Sequence, residues 1–232
     1  MYSQGPAYAA PARHSSHRSS YQPPPSNPPG YAQSSYGAPA RHSSRHSYQQ
    51  APSGPPSGAD PQLWQWFTAV DVDRSGSITA NELQSALLNG NWTKFDLDTV
   101  KMLMAIFDVD RSGTINYTEF AGLWKYIADW QNVFRHFDRD RSGSIDGHEL
   151  ADALANFGYR LTPPLLTLVE QKYASAPTEG YGPPPGITFD RFVRACVAVK
   201  TMTEAFQRAD TDRDGWVQLN YEQFMSMSLS CP

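Results

Sequence analysis

Apolar positions are spread unevenly along this chain. Residues 1–59 contain no Leu, Ile, Val, Phe or Trp, and apolar residues at helical spacing begin only after Asp60. The stretch "DPQLWQWF" sets Asp60 as a cap and Pro61 in the first turn, which predicts a helix start there. Two longer stretches hold an apolar face without interruption. "YTEFAGLWKYIADWQNVFRHFD" aligns Phe120, Leu123, Trp124, Ile127, Phe134 and Phe137, and "TFDRFVRACVAVKTMTEAFQRAD" repeats the pattern with Cys196 on its apolar side. Each predicts one continuous helix. The fold expectation is therefore an all-α domain over 60–232, preceded by a tail over 1–59.

Between the helical stretches lie acidic, glycine-containing segments of near-identical sequence: "DVDRSGSITANE" at 71–82, "DVDRSGTINYTE" at 108–119 and "DRDRSGSIDGHE" at 138–149. Each offers oxygen at positions 1, 3, 5, 7 and 9, glycine at 6 and glutamate at 12. That is the EF-hand arrangement, and its chemistry follows from the ion. Calcium is a hard cation that takes six to eight oxygens, and a glycine lets the chain turn around it. The expected ligands are Asp71, Asp73, Ser75, Ser77 (by its carbonyl) and Glu82 in loop one. Loop two offers Asp108, Asp110, Ser112, Thr114 and Glu119, and loop three Asp138, Asp140, Ser142, Ser144 and Glu149. Thr79, Asn116 and Asp146 stand at position nine, where a water completes the shell. Thr79 and Glu82 also form a capping-box pattern. With Asp146, the third loop carries an extra carboxylate and is expected to bind most tightly.

Position eight is branched in every loop, Ile78, Ile115 and Ile145, and predicts a short β link between partner loops. Two further position-eight residues follow. Ile187 lies in "PPPGITFDRF", where the preceding segment lacks regular acidic ligands and Arg191 replaces the closing glutamate. Val217 lies in "DTDRDGWVQLNYEQF". There Asp210, Asp212, Asp214 and Trp216 are weak metal candidates, because Tyr221 stands at position twelve. Five hands leave one without a partner in the chain. If loops pair in order, the fifth is left over, and Trp216, Val217, Tyr221, Phe224 and Met225 are expected to form a dimer contact.

Charge sharpens the division. The whole chain is −4, and the tail holds four Arg and no acid, so residues 60–232 carry −8. An acidic body suits a cation and argues against nucleic acid. The tail cannot offset its ordering entropy with buried apolar surface, which predicts disorder. Its repeat, "APARHSSHRSSYQ" returning as "APARHSSRHSYQ", and its Pro-rich runs suit either a spacer or a ligand for aromatic-lined grooves. Two cysteines are too few for a disulfide framework. Without a signal-like or membrane-length apolar run, the expected location is cytoplasmic, with nuclear or peripheral membrane association as variants. No Ser-His-Asp or Cys-His pattern points to an enzyme.

The whole arrangement resembles the penta-EF-hand family, from about Pro61 to the end, through "LWKYIADWQNVF", "FGYRL" and "DTDRDGWVQLNYEQF". The resemblance implies a homo- or heterodimer through the fifth hands, calcium-dependent exposure of apolar surface, and protein targets that include Pro-rich segments. It implies a partner groove near Trp124, Tyr126 and Trp130, with Tyr159 and Arg160 beside it. One departure is that the second loop, often degenerate in close relatives, is complete here. A calcium sensor, a protease regulatory subunit and a calcium buffer all stay open.

Overall fold

The computed structural model describes residues 54–175 and 186–229. Helix α1 (Pro61–Val70) begins as its sequence requires: the Asp60 carboxylate accepts from the Gln62 and Leu63 N–H groups, with Pro61 first in the helix. It is followed by α2 (Ala80–Ala86), α3 (Leu97–Phe107), α4 (Tyr117–Phe137) and α5 (Gly147–Asn156). Then come α6 (Pro163–Tyr173), α7 (Phe189–Ala209) and α8 (Tyr221–Leu229). The tail over 1–53 and the middle of the fourth loop, 176–185, lie outside the described residues, and with them the expectation of a disordered tail.

The two uninterrupted apolar stretches are the two long helices. Both α4 and α7 run for 21 residues, about 30 Å at 1.5 Å per residue. Helix α4 leaves the second loop and enters the third, so it belongs to two hands at once. Aromatic side chains fix how the helices cross. Phe67 of α1 meets Phe120 of α4 with ring centroids 5.6 Å apart, and Trp130 and Phe134 of α4 meet Phe192 of α7 at 5.9 and 5.6 Å. Fully burying each such ring contributes about 1.5–3 kcal/mol. Cys196 is buried in this core, as its place on the apolar face predicts.

The loops pair in order. Ile78 bridges Ile115 antiparallel, and Ile145 bridges Ile187. All four side chains are buried. Among the described residues Val217 has no such bridge, and α8 buries nothing.

A polar network ties the two pairs together. Asp190, at the start of α7 and 1% exposed, accepts from the Asp96 N–H at 2.6 Å and from the Thr188 hydroxyl at 2.6 Å, while its own N–H donates to Asn89. Asn89 lies in a small hairpin, marked by the Leu88–Lys94 bridge, that links α2 to α3.

Candidate metal centre

Each complete loop is bracketed by helices. Asp71, Asp108 and Asp138 end α1, α3 and α4, with their N–H groups donating to Phe67, Met104 and Phe134 carbonyls. Thr79, Asn116 and Asp146 begin α2, α4 and α5, and each forms a capping box with the glutamate three residues on. The box holds that glutamate over the loop. One carboxylate oxygen accepts from the cap residue's own N–H, at 2.9 Å for Glu82 and Glu119 and 3.1 Å for Glu149. The other crosses to the second loop residue, at 3.0 Å from Val72 N, 2.9 Å from Val109 N and 2.8 Å from Arg139 N.

Inside the loops the chain is wound tightly. Gly76, Gly113 and Gly143 have φ of 85°, 81° and 78°, the left-handed region glycine tolerates. Arg74, Arg111 and Arg141 also sit there, at 58°, 56° and 58°, at a cost on the order of 1 kcal/mol each. The result is convergence of carboxylates. One oxygen each from Asp71, Asp73 and Glu82 lies within 4.8 Å of the others, and the same holds for Asp108, Asp110 and Glu119, and for Asp138, Asp140 and Glu149. The serine hydroxyls point inward as well: Ser75 donates to the Ser77 carbonyl, Ser112 to Thr114 and Ser142 to Ser144.

Hydrogen bonds hold four of these acids, Asp73, Asp110, Asp140 and Glu82, below their ordinary range. The Ser75 hydroxyl and N–H hold Asp73 below its usual range, those of Ser112 do so for Asp110, and the Ser142 N–H and hydroxyl for Asp140. Glu82 is lowered chiefly by the Thr79 N–H. Asp138 differs. Its Oδ2 accepts from Gly143 at 3.1 Å, but its buried Oδ1 has no partner, whereas both oxygens of Asp71 and Asp108 are bonded. Burial pushes Asp138 above its usual 3.8, and neighbouring Asp140 adds to the rise. A buried carboxylate oxygen without a donor, among other carboxylates, is what a cation satisfies. The donor set of the third loop fits Ca2+.

The fifth loop closes in a different register. Asp210, Asp212 and Asp214 converge within 4.8 Å, but the reciprocal cap at the start of α8 joins Asn220 and Gln223, at 3.0 and 2.8 Å. The position of the closing glutamate therefore falls to Gln223, not to Tyr221, which is 78% exposed. The pattern Asn-x-x-Gln carried that signal in the sequence. An amide there offers one neutral oxygen where the other three loops offer a carboxylate. Trp216, Phe224 and Tyr221 are exposed, with Val217 and Met225 half-buried beside them.

The five groove residues fall in three places. Tyr126 and Trp130 lie in the core, edge to face at 6.1 Å, and burial pushes the Tyr126 phenol to about 12. Trp124 is half-buried, stacked on Phe120 at 5.4 Å and against Trp66 at 5.1 Å. Tyr159 and Arg160 line a pocket of about 240 Å³ with His148, Asp152, Leu161 and Leu166.

Comparison with known proteins agrees with this geometry. The family description "EF-hand domain pair" matches residues 62–125 and 127–229. The chain is 42% identical over 173 residues to peflin of Xenopus laevis, covering 75% of this chain and 59% of that protein. It is 35% identical over 175 residues to sorcin of Homo sapiens, covering 74% and 83%. This chain belongs to the penta-EF-hand family. As a penta-EF-hand chain it binds Ca2+, and its acidic loops fit that ion. It spans about three-fifths of the length of the peflins it matches. Among solved structures, a homolog of programmed cell death 6 protein from Leishmania major Friedlin superposes with a TM-score of 0.59 at 29% identity, covering 72% of this chain and 92% of that one. No described helix is long and apolar enough to cross a membrane.

Proposed function

We propose that this chain is a calcium-sensing adaptor. The residues named above in loops one to three ligate Ca2+, with the third loop in the leading role. The adaptor dimerises through its fifth hand, with another copy or with another penta-EF-hand chain, and takes up protein targets, Pro-rich ones among them, when calcium is bound. One observation carries the reading: three preformed acidic loops stand in the same chain as a fifth hand that leaves Trp216, Tyr221 and Phe224 exposed.

The groove belongs to this proposal too. The Tyr126 hydroxyl and the Trp130 indole N–H are buried without a well-formed hydrogen bond. A buried unpaired donor costs about 1–3 kcal/mol, so separation of α4 from its neighbours on calcium binding would return both groups to water. That favours a sensor over a buffer, in which metal uptake opens little. We place the adaptor in the cytoplasm, with nuclear or peripheral membrane positions following those of its targets.

The test is a titration of the chain with Ca2+, against a Mg2+ control, while an apolar fluorescent probe reports exposed surface. A calcium-specific rise lost in Glu149→Ala supports the sensor. A flat signal with calcium demonstrably bound makes the protein a buffer.

A further inference from the structure

The fourth hand has no closing glutamate, yet its ends are closed. In loops one to three the position-twelve carboxylate reaches back across the loop to an N–H at position two. In hand four, position twelve is Arg191, and its guanidinium also reaches back, with the polarity reversed. It donates at 2.5 Å to the carbonyl of Ala174, the residue that ends α6. Ala174 stands where Asp71, Asp108 and Asp138 stand in their hands, one residue past the entering helix. The neck of the loop is pinned as well. The Ser175 N–H donates to the Gly186 carbonyl at 3.2 Å, and its hydroxyl to Thr188 at 3.4 Å.

We propose that Arg191 is a built-in cation that closes hand four permanently, doing there what Ca2+ does between positions one and twelve in the live loops. The third loop is thereby given a partner that is already closed. The connection is short: Ile187 lies four residues before Arg191 and exchanges both backbone hydrogen bonds with Ile145, position eight of loop three, at 2.8 Å each. Arg191 is then a positioning residue for calcium at loop three, although it touches no ligand of that loop. A charge-assisted bond of this kind is roughly twice as strong as a neutral one, and groups that orient metal ligands from outside the coordination sphere typically set affinity by tenfold or more.

Arg191 has a second contact, which supplies the control. Its other terminal nitrogen pairs with Asp96 at 3.2 Å, where Arg194 also approaches at 3.7 Å. Asp96→Asn weakens that tie between the loop pairs and leaves the bond to Ala174.

The experiment uses the full chain, with glycine amides 15N-labelled so that Gly76, Gly113 and Gly143 report their own loops during a Ca2+ titration. Each of these N–H groups faces the first aspartate of its loop. We expect Arg191→Met to raise the calcium midpoint at Gly143 about tenfold, Arg191→Lys to restore most of it, and Asp96→Asn to leave it within about twofold. An unchanged Gly143 midpoint in a folded Arg191→Met chain overturns the proposal. So does Asp96→Asn reproducing the full shift, since the arginine would then act only as a tie between pairs. Should Arg191→Met not fold, Arg191→Lys decides, because a tenfold loss with the donor retained contradicts closure through Ala174. The proposal rests on calcium occupying loop three. A Gly143 amide blind to calcium in the unsubstituted chain would sink that reading itself, which is distinct from a failure of Arg191.

Discussion

Ile145 and Ile187 exchange N–H and carbonyl in both directions at 2.8 Å, with side chains no more than 2% exposed. One of them belongs to a loop where three carboxylates converge and the other to a hand whose position twelve is Arg191. Pairing therefore does not require a closing glutamate, because the link is backbone and apolar packing, not coordination.

That link is open to truncation. Ile145→Ala should destabilise the protein by about 2–5 kcal/mol, through the cavity it leaves against Ile187. Urea denaturation with and without Ca2+ would measure it, and a loss below about 1 kcal/mol would mean that the pair contributes little.

Glu149→Gln separates charge from shape. The glutamine retains an oxygen for the Asp146 N–H, so α5 should keep its start, but one carboxylate leaves the loop. Calcium affinity at loop three should fall by about tenfold or more, or about 1.4 kcal/mol. Calorimetry against far-UV circular dichroism would distinguish lost binding from lost helix.

Acid should act on Glu82 and Asp138 with opposite sign in the calcium-free protein. The folded pKa of Glu82 lies below its ordinary 4.5, so its contribution to stability is present above 4.5 and is lost as pH falls through the depressed value. Asp138 lies above its ordinary 3.8. Its contribution is present below 3.8 and is lost as pH rises through the elevated value. Thr79→Ala removes the hydroxyl of the box and should cost roughly 1 kcal/mol of α2 stability at neutral pH. In that variant, acid unfolding followed by circular dichroism should start at a higher pH. An identical acid profile would show that the Thr79 hydroxyl does not hold Glu82, whose bond from the residue-79 N–H survives the substitution.

The fifth hand should respond in assembly more than in folding. Phe224→Asp places a charge on an exposed face of α8, so the subunit's own stability should move by no more than about 0.5 kcal/mol. Sedimentation should move from dimer to monomer. A dimer that persists in Phe224→Asp would place the interface elsewhere.

Much of this was legible in the sequence because its signals are local. Asp60 before Pro61, the three twelve-residue loops, and the unbroken faces of α4 and α7 each lie within one stretch of chain, and the position-eight residues pair as their order predicts. What escaped was either non-local or ambiguous. Nothing near Asp190 announces that it accepts from Asp96, 94 residues away, or that it is bonded by Asn89. Arg191 reads as a missing ligand until Ala174 is found beside it. Helical spacing sets Tyr126 and Trp130 near Trp124, but it does not say which of α4's flanks meets α7, and the structure takes both into the core. The register of the fifth loop was recoverable from Asn220 and Gln223, since a capping pair at that spacing marks a helix start as surely as Thr79 and Glu82 do.

Helix α4 carries Glu119 in its first turn and ends one residue before Asp138, so the closing acid of loop two and the opening acid of loop three are mounted on opposite ends of one rod. A rod of this kind cannot turn at one end and stay still at the other. The hands that make the repeating pattern in the sequence are therefore not the working parts of the molecule. A fragment cut between loops two and three would sever the one helix that carries acids of both.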